Sequence, residues 1–520
     1  MGRSYCNTCG QIDAADDRVI HSRDLSENRM PTKKPRKAQR REPMARVDTA
    51  WLRMERPTNP MMITGVLMFA EPMSLQRLKR VVAKRFLAYA RFRQKAVDTA
   101  AGATWQEDAH FDLDWHVQLA ALPGQGDGRR TPRDGTQKRA LERFVSQLAS
   151  SPLDKHRPLW QFHLVERYQG GSALVARLHH SYADGIALVQ VLLSLTDTER
   201  SAGNGKELAK AWLKRDGAEV ARRVGAVERY AQLGGKVFGK GMEMVQDPTL
   251  VAVLAREGGE IARELVHALA LSDDPPSMLR GRLGTSKRVA WAEPIDLEEV
   301  KAVGRACDCT VNDVLMAAAA GALRDYMIER GDDVDGMTVR ATVPVNLRPL
   351  EHARKLGNHF GLVFLDLPVG EGNPVRRLER VAECMHQLKG SRQAVVVYGL
   401  LAALGMAPPQ LQALALALFS RKASVVATNV PGPQQPLYMA GCELREMMFW
   451  VPQTGSVGVG ISIMSYNGRV HFGLIADARL IPDPDSVIRR FGGEFEKLLY
   501  LALMGSWERA LDPAAAEALL

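Results

Sequence analysis

The sequence predicts an α/β protein with two mixed-sheet domains joined by a helical segment. The chain has 520 residues, well above the roughly 100–200 residues of a typical single domain. Both halves alternate short β-like apolar runs with longer segments of helical period. Between them, residues 199–287 are rich in Ala, Glu, Lys and Arg and keep helical spacing, which predicts a helical linker. The sequence shows no short-period internal repeat, which argues against a solenoid.

Residues 1–43 form a polar extension that we expect to be disordered. The segment ends in a basic run from Lys33 to Arg41 and has too little apolar surface to fold alone. A tether to an anionic surface and a solvated extension both fit this composition, and the solvated extension is favoured. Cys6 and Cys9 with His21 do not predict zinc, because a structural zinc site needs four ligands at matched spacing.

Residues 44–198 are predicted to form the first domain. Ser74 is a suitable N-cap for a basic amphipathic helix that reaches about residue 89, and Gly185 precedes another helix. Gln169-Gly170-Gly171 predicts the turn of a hairpin. The predicted strands are 60–69, 161–166 and 173–180, and a further helix is expected over 137–148.

Residues 288–505 are predicted to form the second domain, followed by a tail over 506–520. Strands and helices alternate along it with the same periods as in the first domain. The predicted strands are 288–292, 338–344, 360–367, 424–429, 458–465 and 469–475, and the main helices are 312–330, 374–389 and 483–503. The apolar stretch 395–419 is expected to pack in the core, with the lining of an apolar tunnel or a lipid-facing surface as alternatives.

Composition limits the partners and the location of the protein. A net charge of +10 favours anionic partners such as coenzyme A or anionic lipid. No nucleic-acid-binding motif accompanies that charge, so nucleic acid is not predicted. Six scattered cysteines and the lack of an N-terminal apolar region indicate a cytoplasmic protein. The apolar run Ala394–Ala407 is shorter than the ~20 residues of a membrane span, so we expect peripheral lipid contact at most.

The chemistry is concentrated in His179-His180-Ser181-Tyr182-Ala183-Asp184-Gly185, between an apolar strand and an apolar helix. Strand side chains alternate between faces, which would place His180 with Leu178 and His179 with Arg177. Neighbouring histidines on opposite faces do not readily chelate one ion, so no metal site is predicted on this pair.

His180 is the candidate general base, since imidazole titrates near neutral pH. The chain has no Gly-x-Ser-x-Gly elbow to supply a serine nucleophile. Direct proton abstraction from an acceptor hydroxyl therefore fits better than an acyl-enzyme. Asp184 is expected to orient the loop, with Arg348 as one possible ion-pair partner. The alternatives are that Asp184 only caps the helix and that His180 is a buried structural histidine.

His179-His180-x-x-x-Asp184-Gly185 resembles the HHxxxDG motif of the coenzyme A-dependent acyltransferase superfamily. Companion segments resemble those of one branch, the bacterial wax ester synthase/acyl-CoA:diacylglycerol acyltransferase family. This resemblance covers roughly residues 44–503. The segments are Val47-Asp48-Thr49-Ala50-Trp51-Leu52, Asn59-Pro60-Met61, Pro158-Leu159-Trp160, Thr310-Val311-Asn312-Asp313-Val314-Leu315, Val343 to Arg348, Gly357-Asn358, Thr428 to Pro433 and Ser462 to Gly468.

The resemblance implies two chloramphenicol-acetyltransferase-like domains with an active site between them. His180 would deprotonate a fatty alcohol or diacylglycerol, whose oxygen attacks acyl-CoA. Asn312 matches a position suited to stabilising the oxyanion, although Asn312 and Asp313 also suit an ordinary helix start. His179, Asp184, Gly185 and Asp313 would be structural. Acyl-CoA is a co-substrate, and no cofactor or metal is implied. No substrate-binding residue is predicted.

The sequence is also compatible with two other functions. One is a different acyltransferase of the HHxxxDG superfamily with another acceptor. The other is a non-catalytic protein that coats lipid droplets with its basic face and apolar patches. The intact His180, Asp184 and Gly185 favour an enzyme. We expect such an enzyme to lie in the cytoplasm, against the inner membrane face or lipid inclusions.

Overall fold

A computed structural model describes most of the chain. The described residues are 41–99, 102–123, 134–201, 271–347, 356–391, 393–405, 409–505 and 513–519. Most of the expected N-terminal extension, residues 202–270 of the expected linker, and Arg348 lie outside these ranges. Arg41–Pro43 is a strand paired with residues 104–106, so for these three residues the prediction of disorder is wrong. Backbone pairing orders them although their side chains are exposed.

The protein is α/β, as predicted, with sixteen strands in its described part. Most strands match a predicted apolar run within a few residues. The strands are β1 Arg41–Pro43, β2 Met62–Phe69, β3 Gln94–Thr99, β4 Gly102–Glu107, β5 Val117–Ala120, β6 Trp160–Tyr168, β7 Gly171–His179, β8 Lys287–Trp291, β9 Ile295–Asp296, β10 Val339–Asn346, β11 Phe360–Leu367, β12 Val425–Pro431, β13 Leu437–Met439, β14 Cys442–Trp450, β15 Val459–Tyr466 and β16 Arg469–Asp477.

Helices of very different apolarity cover the sheets. The predicted Ser74 cap is present, since its side chain accepts a hydrogen bond from the Arg77 backbone. The helix that it starts is continued by a π turn over Val82–Phe86. The α-helices are α1 Arg46–Met54, α2 Leu75–Val81, α3 Leu113–His116, α4 Asp134–Ser150, α5 Gly185–Leu195, α6 Leu297–Ala306, α7 Val311–Glu329, α8 Pro374–Gly390, α9 Gln393–Leu404, α10 Pro409–Ser420, α11 Pro484–Met504 and α12 Pro513–Leu519.

Two large mixed sheets organise the fold. The first has the order β13-β14-β2-β7-β6-β5, and only β5 and β6 run parallel in it. The second has the order β11-β10-β12-β15-β16-β8, with β9 beside β16 and a parallel centre formed by β10, β12 and β15. A small sheet, β1-β4-β3, accompanies the first. Each large sheet carries helices and its own apolar core.

The chain crosses between the two sheets near its C-terminal end. β13 and β14 belong to the first sheet, where β14 pairs with β2. The prediction that 288–505 form one continuous domain is therefore wrong for this segment. Apolar side chains of β14 are buried on both faces, with Met447 on one side and Met448 on the other. A strand that is apolar on both faces needs cover on both sides and a place within a sheet.

The described ends of the expected linker contain no helix. Residues 199–201 form a turn, and residues 271–286 are irregular up to the start of β8. Helical structure over 202–270 therefore stays a prediction. Within the described ranges, no single helix is long and apolar enough to cross a membrane. Of the described helices, only α6 and α7 taken together have the length and apolar composition of a span, and the chain bends by 95° between them.

A buried ion pair joins the two halves of the chain. Lys287 Nζ lies 3.3 Å from Asp477 Oδ2 and donates to Asn59 Oδ1 at 2.9 Å. All three side chains are buried. Burial lowers the pKa of Lys287, and the Asp477 carboxylate opposes that shift. Removing one partner of such a pair leaves a charge with no compensation in the interior.

We expect Asp477→Ala to lower the free energy of unfolding by about 3–5 kcal/mol. The substitution leaves the buried Lys287 ammonium with the Asn59 amide oxygen but without its carboxylate partner. Chemical denaturation followed by circular dichroism measures this change. The matched control is Glu298→Ala, which removes the exposed partner of Lys301 and should change stability by about 0–1 kcal/mol. Equal effects of the two substitutions would contradict a structural role for the buried pair.

Candidate active site

The histidine motif occupies the turn between β7 and α5. β7 is buried along its whole length and ends at His179, one residue before the predicted end. His180 therefore lies in the turn, and the predicted strand alternation does not set its direction. Its backbone N–H donates to the Met61 carbonyl at 2.7 Å, which holds the turn against the start of β2.

The His180 imidazole is enclosed by aromatic rings from both halves of the chain. Trp51 of α1 stacks on it with centroids 4.3 Å apart and planes 21° apart. Phe360 of β11 lies 5.5 Å away. His180 is 4% exposed, and its Nδ1 has no hydrogen-bond partner among the described residues. Burial lowers the pKa of His180 to about 4 despite the nearby Asp184 charge, so the ring is neutral at pH 7.

Asn358 connects His180 to a buried acid. Its Nδ2 donates to the His180 carbonyl and to Asp48 Oδ1, both at 2.8 Å. Its backbone N–H donates to the same Asp48 oxygen at 3.0 Å. Asp48 belongs to α1 and is 5% exposed. Burial raises the pKa of Asp48 to about 7, although the Asn358 donors oppose this shift.

Asp184 both caps a helix and joins the two halves of the chain. Its Oδ1 accepts from the Ala187 N–H at 2.9 Å, which caps α5. Its Oδ2 accepts from the His359 N–H at 2.9 Å. Arg348, which the sequence analysis names as one candidate ion-pair partner, lies outside the described residues. Gly185 begins α5, and a Cβ there would lie 3.9 Å from a Val430 methyl, so α5 starts close to the end of β12.

His179 contacts Ser181 in the loop and Glu55 at the end of α1. Its Nδ1 accepts from the Ser181 N–H at 3.1 Å, and its Nε2 lies 3.5 Å from Glu55 Oε2. Although burial acts to raise the pKa of Glu55, His179 and Lys155 outweigh it and lower that pKa. These contacts are compatible with a structural histidine, and that role stays a prediction.

Asn312 and Asp313 lie at the start of α7. Asp313 forms a capping box with Thr310, in which each side chain accepts from the other residue's N–H. Asn312 is exposed, and its Oδ1 accepts from Asn429 Nδ2 at 2.5 Å. No hydrogen bond joins Asn312 to His180 within the described ranges. Asn429 precedes Val430, which faces Gly185, so Asn312 lies on the second-sheet side of the same region.

The Pro158-Leu159-Trp160 segment packs beside the motif. The Leu159 N–H donates to the Tyr182 hydroxyl at 3.0 Å, and the Leu159 carbonyl accepts from the His179 N–H at 3.0 Å. Trp160 is fully buried among aromatic rings, including that of Phe86. These contacts fix the residues on either side of His180 and support a packing role for the Pro158-Leu159-Trp160 segment.

Four residues at the site carry no role in the sequence prediction: Asp48, Trp51, Asn358 and Phe360. Asp48, Trp51 and Asn358 lie within segments with family resemblance, but nothing local shows their function. Asp48 and Trp51 are three residues apart on the buried face of α1. An acidic residue on the apolar face of a predicted helix is a signal in the sequence that could have marked Asp48 as a functional candidate. The pairing of Asp48 with Asn358 spans 310 positions, which periodicity does not reveal.

Metal ligands and cysteines are scattered. In the part of the chain that the structure describes, no group of three or more His, Cys, Asp or Glu side chains is placed to hold a metal ion. The described cysteines, Cys307, Cys309, Cys384 and Cys442, are free thiols. Cys6, Cys9 and His21 lie outside the described residues.

Comparisons with known proteins identify relatives of this chain. A Mycobacterium bovis protein assigned as a diacylglycerol O-acyltransferase is 28% identical over 493 residues, covering 90% of this chain and 92% of its own. The structure of a wax ester synthase/diacylglycerol acyltransferase from Marinobacter aquaeolei VT8 matches with a TM-score of 0.62 at 24% identity, over 89% of this chain and all of that chain. A starter condensation domain of rhizomide synthetase matches at 0.53 and 12%, over 91% and 96%. The two structures show a shared fold.

Family profiles match most of the described chain. The wax ester synthase/diacylglycerol acyltransferase catalytic domain matches residues 44–315, more than half of the 520 residues. The C-terminal domain of the same family matches residues 356–499. The first match contains the His180 loop and Asn312, and the second contains Asn358 and β11–β16. The chain belongs to the wax ester synthase/diacylglycerol acyltransferase family and is an acyltransferase.

Proposed function

We propose that the protein moves a long-chain acyl group from acyl-CoA to a fatty alcohol or diacylglycerol, forming a wax ester or a triacylglycerol. The observation that carries the proposal is the neutral, buried His180 imidazole, which stacks on Trp51 while the Asn358 amide donates to the backbone carbonyl of the same residue. The similarity to a diacylglycerol O-acyltransferase over nearly the whole chain supports the substrate class.

His180 is proposed to act directly on the acceptor. A neutral imidazole accepts the hydroxyl proton as the oxygen attacks the thioester carbonyl, so no acyl-enzyme forms. Burial disfavours the resulting imidazolium. The face of Trp51 compensates in part, because a π face attracts a cation placed over it. The imidazolium then returns its proton to the departing thiolate of coenzyme A.

Asn312 is proposed as a donor to the oxyanion of the tetrahedral intermediate. The carbonyl oxygen of the Asn312 side chain accepts from Asn429. This contact does not use the NH₂ group of Asn312, which is the group that would donate to the oxyanion. A preorganised donor of this kind is worth ~3–4 kcal/mol of barrier. The proposed steps need a base, an oxyanion donor and a thiolate leaving group, and no resident cofactor takes part.

Lipid acceptors also imply contact with a lipid surface. α10 carries Leu414 and Leu418, 59% and 47% exposed, one helical turn apart. At the end of α11, Tyr500, Leu503 and Met504 are also exposed. We propose peripheral binding of these apolar residues to the inner membrane face or to lipid inclusions, with the net charge of +10 favouring anionic lipid.

We expect His180→Ala to abolish ester formation, with kcat falling about 10²–10⁴-fold, the range that a general base contributes. Thiol release from palmitoyl-CoA is measured with hexadecanol, with a diacylglycerol and without acceptor, and chromatography identifies the ester. The control is His110→Ala, because His110 is exposed and outside the site. Full activity of the His180 variant would remove the proposed base. A folded wild-type protein that is inactive with both acceptors would contradict the substrate class.

Trp51→Leu should lower kcat by about tenfold with little change in KM, since a buried cation–π contact contributes about 1–2 kcal/mol to the imidazolium state. Trp51→Phe should recover part of the loss, because phenylalanine keeps a π face over His180. Steady-state kinetics with palmitoyl-CoA and hexadecanol separate kcat from KM. Equal losses in both variants would indicate that Trp51 acts only by filling space.

Asp48→Asn should remove a pH-dependent loss of stability. Burial raises the pKa of Asp48 from 3.8 to about 7, so the folded state favours the protonated acid. The wild-type fold therefore loses stability as pH rises from about 4 to about 7, as the carboxylate is forced to ionise. The variant keeps an oxygen for the Asn358 donors but does not titrate. The difference between the urea midpoints of the wild type and the variant should change as pH rises from about 4 to about 7 and stay constant above pH 7. A difference that stays constant across the whole range would contradict the raised pKa of Asp48.

A further inference from the structure

A short segment just before β11 lies along the histidine motif. The Gly357 N–H donates to the Tyr182 carbonyl at 3.0 Å. The next residue is Asn358, and its side-chain NH₂ group donates to the His180 carbonyl at 2.8 Å. The backbone N–H that follows donates to Asp184 Oδ2 at 2.9 Å. Three consecutive residues therefore bind the loop, and the middle one places an amide side chain on the residue that carries the proposed base.

Two buried atoms at this contact have no hydrogen-bond partner among the described residues. They are Asn358 Oδ1 and His180 Nδ1, on side chains that are 3% and 4% exposed. Burial lowers the pKa of His180, whereas its own backbone carbonyl and the Asn358 side chain act to raise it. A neutral group raises the pKa of an imidazole by accepting from a ring N–H. Both acceptors therefore lie on the side of Nδ1, the ring nitrogen nearest the backbone.

The Asn358 amide matches this edge of His180. An amide presents a donor and an acceptor side by side, and a histidine with hydrogen on Nδ1 presents the complementary pair, its carbonyl oxygen and its ring N–H. One of the two bonds, from the NH₂ group to the carbonyl, is present. The second would join the two atoms that have no partner. Hydrogen bonds at catalytic groups are often long without substrate and shorten when it binds.

Asp48 determines which way the Asn358 amide faces. Its Oδ1 accepts from Asn358 Nδ2 at 2.8 Å and from the Asn358 backbone N–H at 3.0 Å. An amide turned by half a rotation would place its oxygen against the Asp48 oxygen and the His180 carbonyl, so that acceptors would face acceptors. The amide oxygen is therefore left for the imidazole.

We propose that Asn358 is a positioning residue for His180 and that Asp48 is its anchor, an inference that rests on the proposed function. The amide holds the imidazole as the tautomer with hydrogen on Nδ1, which leaves the lone pair on Nε2 for the acceptor hydroxyl. Which ring nitrogen carries the hydrogen is set by the bond that the other part of the ring makes. When Nε2 takes the hydroxyl proton, Nδ1 keeps its own, and the amide oxygen accepts from an imidazolium, which is a stronger donor.

Asn358→Ala should lower kcat by about 10²-fold, the cost of a reacting group displaced by about 1 Å. The KM values for palmitoyl-CoA and hexadecanol should not change. The matched control is Asn373→Ala, which removes another buried amide, the cap of α8. It should lower the urea midpoint and leave kcat at the wild-type value. Equal kcat losses in the two variants, or a rise in KM alone, would overturn the positioning role.

The anchor is tested with two substitutions of Asp48. Asp48→Leu removes the acceptor of both Asn358 donors and should reproduce the loss of kcat in Asn358→Ala. Asp48→Asn keeps an oxygen in that place and should recover most of the loss. Equal kcat values for the two Asp48 variants would show that the acceptor oxygen has no part in positioning His180.

The tautomer itself is measured by nitrogen NMR of protein labelled at its histidine rings, with the His180 signals assigned by their absence from His180→Ala. Wild-type His180 should carry hydrogen on Nδ1, and Asn358→Ala should populate the form with hydrogen on Nε2, whereas Asn373→Ala should match the wild type. Hydrogen on Nε2 in the wild type overturns the inference without any variant. So does an unchanged tautomer in Asn358→Ala. If the wild type makes no ester, the proposed function fails, and the spectra still decide whether Asn358 sets the tautomer.

Discussion

The Asn358 side chain is the contact on which the geometry of the site depends. One amide donates to the backbone of His180 and to Asp48, so it ties the motif loop, α1 and the segment before β11 together. All of these groups are buried. A buried carbonyl or carboxylate that loses its donor keeps the whole cost of leaving water. The three pieces of chain are therefore held in one arrangement, and the direction of the imidazole follows from it.

That contact works only because the two halves of the chain are locked together elsewhere. α1 begins the first family domain, yet it packs on α9, with Val47 and Trp51 against Val397 and Leu401. β14 makes the reverse crossing, from the second half into the first sheet. The buried Lys287 bridges Asn59 and Asp477 in the same way. A site shared between halves needs such links, because a shift of about 1 Å at the reacting atoms is costly.

The sequence predicts the parts of this fold whose information is local. Apolar runs locate β11 and eight other strands, and Ser74 marks a helix start that the structure confirms. β14 escapes prediction, because its sequence does not show which sheet it joins. The motif places His180, but the end of β7 one residue earlier changes its direction. Trp51 contacts the His180 ring from 129 positions away and Asn358 binds the His180 carbonyl from 178 positions away, so only the folded chain brings them together.

Burial shifts the pKa values of two titratable groups at the site, His180 and Asp48, in opposite directions, and both shifts favour the neutral form. The pKa of His180 falls to about 4 and that of Asp48 rises to about 7. The His180 ring therefore carries no charge at pH 7 until a proton moves. That state suits hydrocarbon substrates, which need no polar partners and exclude water as they bind. It also concentrates the electrostatic demand in the transition state, where the imidazolium and the oxyanion form together. Groups that respond only then, the Trp51 face and an amide donor, are the ones that raise kcat without tightening substrate binding.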